Sequence, residues 1–146
     1  MKTPAIMAIV STLVLATATV SADTVTWVGT SGGGDGTTWS DGGNWDTGTP
    51  PVNDDDVVFD AAANGAIINL TADAAELNSL TINTTSNAGL TFTESGNYDL
   101  PVKGGGTTVA ADAGTVQFDT TYRARNAHTF TNNDTDSPVA FNGGVS

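Results

Sequence analysis

Apolar residues paired at i and i+2 recur along this chain at an almost constant interval, and that recurrence limits its fold more than any other feature. The pairs are Val57/Phe59, Ile68/Leu70, Leu80/Ile82, Leu90/Phe92, Leu100/Val102, Val116/Phe118, His128/Phe130 and Val139/Phe141. They start 11, 12, 10, 10, 16, 12 and 11 residues apart, the widest interval enclosing an extra short piece at Thr107 to Ala110. Period-two alternation marks a strand with one buried face, because successive side chains point to opposite sides. Between the pairs lie Asn64-Gly65, Asn87-Ala88-Gly89, Ser95-Gly96-Asn97, Gly104-Gly105-Gly106 and Ala113-Gly114, all turn chemistry. A single helical turn at Asp73 to Leu77 is the most that any other element can claim.

Two architectures accept short strands at such intervals. A β-sandwich makes them by antiparallel hairpins and Greek keys. A parallel β-solenoid makes them by coiling, so that like stacks on like in successive rungs. The shortness of the strands and the Thr and Asn beside them favour the solenoid, where such side chains form ladders from rung to rung. The expected class is all-β: the start of a right-handed parallel β-solenoid, or β-helix, with the antiparallel sandwich as the alternative.

Ahead of the rungs, Thr24 to Asp60 holds all three tryptophans, Trp27, Trp39 and Trp45, with a glycine run at Gly32 to Gly36 and a Pro50-Pro51 stop. A solenoid must close its first coil against water, and indole rings are the bulkiest closure available. Trp27, Trp39 and Trp45 are therefore expected as a structural cap. In the competing reading, Trp39 and Trp45 stand exposed on a loop and stack on sugar rings.

The same stretch carries a family resemblance. Trp27, Trp39-Ser40-Asp41, Asn44-Trp45, Pro50-Pro51 and Asp55-Asp56-Val57-Val58-Phe59 resemble the N-terminal region of secreted bacterial proteins with autotransporter-associated β-strand repeats. Asn87 to Asn97 and Gly105 to Phe118 look like loose copies of the passenger repeat. The resemblance implies a β-helical passenger, structural or adhesive, without a catalytic set of its own. Tyr98-Asp99-Leu100 departs from the repeat, and the sequence shows no translocator barrel.

Location is legible at the N-terminus. Lys2, the Ser/Thr-diluted apolar run Ala5 to Val20, and the small residues Val20-Ser21-Ala22 read as a secretory signal peptide cleaved after Ala22. A membrane-spanning helix would need about 20 strongly apolar residues, and no second apolar run exists. Residues 1–22 are thus the leader, 23–60 the capping module, and 61–146 rungs expected to continue beyond Ser146. The expected location is secreted, extracellular or on the outer cell surface. Sixteen acidic residues against four basic ones leave a net charge of −12, which repels phosphate backbones and argues against a nucleic-acid partner. An extracellular surface or a glycan is the expected kind of partner.

Chemistry finds few handholds. Without cysteine and with one histidine, His128, nucleophilic catalysis has a poor inventory, and no Gly-x-Ser-x-Gly elbow is present. Glu76 and Glu94 could stack as a carboxylate pair of the kind glycosidases use, although solvated charge explains them as well. Arg123 and Arg125 alternate on one face, a weak glycan or lyase site. Calcium, which takes six to eight oxygens, is the one cofactor the acidic loops could hold, at Asp54, Asp55 and Asp56 or at Asp35, Asp41 and Asp46. Asn69, Asn83 and Asn133 open glycosylation sequons. The function expected is a non-enzymatic passenger, structural or adhesive; the alternative is a carbohydrate-binding module or a fragment of a polysaccharide-active β-helix enzyme.

Overall fold

Thr24–Thr26 (β1), Asp56–Phe59 (β2), Ile67–Leu70 (β3), Leu77–Ile82 (β4) and Leu90–Glu94 (β5) are the first five strands of a computed structural model that describes residues 22–146. Asp99–Val109 (β6), Val116–Phe118 (β7), Thr121–Ala124 (β8), Phe130–Asn132 (β9) and Val139–Phe141 (β10) complete the set. The leader, apart from Ala22, lies outside the described residues. One sheet runs β1-β2-β4-β6-β8 with β9 also on β6, and the other runs β10-β7-β5-β3. Every strand pair is parallel. The chain is therefore a parallel β-solenoid of about 4 turns, and the antiparallel sandwich is ruled out.

The register explains the spacing. On the first sheet Val57 lies beside Leu80, 23 positions on, which lies beside Thr107, 27 further on, which lies beside Phe130 after another 23. Two apolar pairs thus make one coil: one faces inward from the first sheet and the next from the second, and alternate pairs stack. Ile68, Phe92 and Phe118 form the corresponding inward row on the second sheet.

Leu100/Val102 does not join either row. The first part of β6 pairs with β8, Leu100 beside Tyr122, while its last part, from Gly106 to Val109, pairs with β4 and β9. β6 turns a corner between them at Gly104 to Gly106, so Leu100 and Val102 begin a third, short face. Gly105 is required at that corner, because a Cβ there would sit 2.6 Å from the Asn78 carbonyl oxygen. The long sequence interval around Thr107 is this corner. His128 also departs from expectation: β9 starts at Phe130, and His128 lies in the bend before it. No helical turn forms at Asp73 to Leu77; Leu77 already opens β4, and the short 3-10 turns fall at Gly29–Gly32, Gly42–Asn44 and Ala61–Ala63.

Inside the coils sit Val57, Phe59, Ile68, Leu70, Leu77, Leu80, Ile82, Phe92, Leu100, Val102, Val109, Val116 and Phe118, all without solvent exposure. Each contributes on the order of 1.5–3 kcal/mol of transfer free energy. Phe92, Phe118 and Phe141 stack face to face, with ring centroids 5.0 Å apart and planes within 3° and 6° of parallel. Identical residues in identical rung positions produce this column, a direct consequence of parallel in-register pairing.

Candidate functional site

Residues 24–46 form an irregular extra coil on the first regular one. β1 lies along β2, and Thr38 bridges in parallel to Asn69, so the module supplies an element to each sheet. Its return stretch closes over β1: Trp45 bridges Trp27 in antiparallel fashion, Val28 donates to the Asn44 carbonyl, and Asp46 donates to the Thr26 carbonyl. Tryptophan rings fill the space inside. Trp27, Trp39 and Trp45 are 0%, 4% and 1% exposed. Trp45 meets both other indoles edge-on at 4.9 Å, and all three rings rest on Phe59. The Trp45 indole N–H donates to the Trp39 carbonyl at 2.8 Å. The buried aromatic cap is in place. The sugar platform expected of Trp39 and Trp45 is corrected by the same observation, since neither ring keeps an open face on which a sugar could stack.

Hydrogen bonds at Asp35 and Asn44 hold the glycine loop that carries these rings. The Asp35 carboxylate accepts from the Thr38 hydroxyl, the Asn44 amide, and the Thr38 and Thr37 N–H groups. These donors hold its pKa well below the usual carboxylate range, the Thr38 hydroxyl most and the Asn44 amide next. Asn44, fully buried, also donates to the Thr38 carbonyl and accepts from Gly36 N–H. Gly34 passes so close that a Cβ would lie 2.1 Å from Asn44 Oδ1. Asp41 accepts from Gly43 and Asp35 N–H, and Asp46 accepts from Thr26 N–H. Carboxylate oxygens aimed at N–H donors are fold ligands, so the calcium set expected at Asp35, Asp41 and Asp46 is corrected to a loop lock.

Asp54, Asp55 and Asp56 do not converge either. Asp54 reaches Lys103, Asp55 is buried and accepts from Val52 N–H, and Asp56 accepts from the Asn78 amide and the Ser79 hydroxyl. Strand geometry separates them, since neighbours point to opposite sides. Among the described residues, no three His, Cys, Asp or Glu side chains group as a metal ion requires.

The third face carries every basic residue of the described chain. Lys103 Nζ lies 2.7 Å from Asp54 and 3.2 Å from Glu76, Arg123 pairs with Asp99, and Arg125 Nε stands 3.7 Å from Glu76. Asp54 and, next, Glu76 raise the Lys103 pKa as hydrogen-bond acceptors, against a smaller opposing effect of burial. Arg123 and Arg125 do share one side, as their alternation suggested, but both face carboxylates of preceding coils, which makes them ties between rungs. Glu76 and Glu94 belong to a single coil, at the start of β4 and the end of β5, and do not stack as a pair. Glu94 accepts from Tyr98 N–H.

His128 closes a chain of hydrogen bonds. Its Nδ1 is 3.0 Å from the Lys103 carbonyl oxygen, which can only accept, so Nδ1 carries the proton. Nε2 then accepts from the Tyr122 hydroxyl at 2.7 Å, and Tyr122 accepts from Thr107 at 2.5 Å. Burial pushes the Tyr122 pKa up to about 12, partly offset by the Thr107 hydrogen bond. Neither of the His128 nitrogens contacts a serine or a carboxylate, so no nucleophile is activated.

The sequon asparagines Asn83 and Asn133 are exposed, whereas the backbone of Asn69 is bonded on both sides to Thr37 and Trp39. An open groove of about 290 Å³ at one corner is lined by Gly65, Gly89, Asn87 and Thr115, with no titratable side chain. Sequence reasoning missed Asn44, Asp35 as a lock, and Lys103. Only Lys103 left a trace, as the one lysine beyond the leader. No family model, curated protein or solved structure matches the chain.

Proposed function

We propose that this chain is the opening of a secreted or cell-surface β-solenoid passenger, structural or adhesive and non-catalytic, of the kind built from autotransporter-associated β-strand repeats. One observation carries the reading: the groups that could do chemistry are spent on holding coil to coil. The basic residues face carboxylates across rungs, His128 ends a structural hydrogen-bond chain, and the cap carboxylates accept loop N–H groups. A rod with a dry interior supports an extended surface by stiffness, and its Thr- and Asn-rich exterior suits many weak polar contacts.

The experiment has two arms. Beads coated with the purified chain are tested for adhesion to polysaccharides and cell surfaces, and the same preparations are assayed for release of reducing or unsaturated sugar ends. Adhesion without product formation is expected. Product release that survives purification overturns the non-enzymatic reading. Retention of the protein in the cytoplasm of its producing cell overturns the secreted one.

A further inference from the structure

The two ends of the solenoid are built differently. At the first coil the outer edge of β1 is occupied: the Asp46 carboxylate accepts from Thr26 N–H, and Asp46 N–H donates to the Thr26 carbonyl. At the last coil β9 pairs only with β6 and β10 only with β7, so both have an outer edge without a strand. Val116 N–H donates to the Pro138 carbonyl and Asn142 N–H to the Phe118 carbonyl. By the alternation of a strand, the peptide groups of Val139 and Phe141 therefore point outward. Residues that are fully buried in earlier coils are half-buried here, namely Phe130, Val139 and Phe141, and Val145 is 59% exposed. The Phe92–Phe118–Phe141 column ends on an open ring face.

We infer that this end pairs with the same end of a second copy of the chain, β10 against β10 in antiparallel register, with the two Phe141 rings in contact across a two-fold axis. Charge selects this partner and place. The chain carries −12, yet residues 126–146 hold only two ionisable carboxylates, Asp134 and Asp136, and no Lys or Arg. Asp134 is turned inward, where Gly114, Asp136 and Ser137 N–H groups meet it. Contact elsewhere brings like charges together, whereas the last coil brings almost none. Exposed strand edges template pairing. Because the capped end presents no free edge, a head-to-tail filament cannot propagate, and the two-fold contact closes on itself as a dimer.

Sedimentation velocity of the full chain across a wide concentration range is the test. A reversible two-copy species is expected, and Phe141→Lys should weaken it at least tenfold with the tryptophan emission unchanged. If Phe141→Lys does not fold, Val145→Lys at an exposed site asks the same question. With no native cysteine, single spin labels at Thr131→Cys and Ser31→Cys locate the contact. A short inter-copy distance from Thr131 and none from Ser31 is expected. A monomer at every concentration, which leaves the edge to another occupant, overturns the inference. So does open-ended assembly, or proximity at Ser31.

Discussion

Replacing Trp45 by alanine removes the ring on which the whole cap is assembled. Its neighbours are Trp27 and Trp39 at 4.9 Å and Phe59 at 5.8 Å, and all of these sites are buried. Emptying a buried tryptophan site costs about 3–5 kcal/mol. The lost indole N–H also strands the Trp39 carbonyl it caps at 2.8 Å, a penalty of about 1–3 kcal/mol that places the change at the upper end, near 5. In urea, with a slope of about 2 kcal/mol per molar for a chain of this size, the midpoint falls by about 2 M. Because all three tryptophans belong to the cap, their emission reports that coil alone, while far-UV circular dichroism reports the strands of the rest. In a solenoid, stability is a sum of neighbour interfaces, so the emission of Trp45→Ala should change before the dichroism does. Coincident transitions displaced by less than about 0.25 M, equivalent to about 0.5 kcal/mol, would refute the buried-cap reasoning.

Gly89 and Gly48 share a φ of +75°, but a Cβ at Gly89 would lie 2.7 Å from the Thr115 carbonyl oxygen, whereas Gly48 has open space. Gly89→Ala should therefore destabilise by at least about 1 kcal/mol more than Gly48→Ala in matched denaturation curves, and equal losses would contradict the corner packing. Asp35 has a depressed pKa in the fold, so its stabilising contribution is fully present above the unfolded carboxylate value and is lost as pH falls below about 4. Asp35→Asn should flatten the acid limb of the tryptophan-emission curve, and an unaltered limb would remove the loop-lock role. Lys103→Glu replaces the partner of Asp54 and Glu76 with a like charge. Its melting temperature should drop at low ionic strength and recover partly in molar salt, whereas a loss indifferent to salt would point to packing instead.

Local pattern made the strands legible. Val57/Phe59, Ile68/Leu70, Leu80/Ile82 and Leu90/Phe92 alternate along the chain and face the core in the structure, because period two alone determines which residues share a side. The Gly and Asn corners followed from backbone sterics, and the burial of Trp27 from its place beside Val25 at the start of the stack. Residue type could not say which way Trp39 and Trp45 face, since a ring in a glycine loop suits a sugar as well as a cap. That choice is made by Phe59 and the Trp39 carbonyl.

By itself, then, the sequence determined an acidic all-β stack of short strands opened by an indole-rich module, because strand alternation, turn chemistry and charge are properties of neighbours along the chain. Only the tertiary structure decided that alternate pairs stack, that Leu100 and Val102 begin a third face at the Gly104 to Gly106 corner, and that the acidic loops are locks. Lys103 meets Asp54 across 49 positions and Asp35 answers to four donors in its loop. What such a group does depends on which coil closes over it, and that is settled only when the chain returns to the same height.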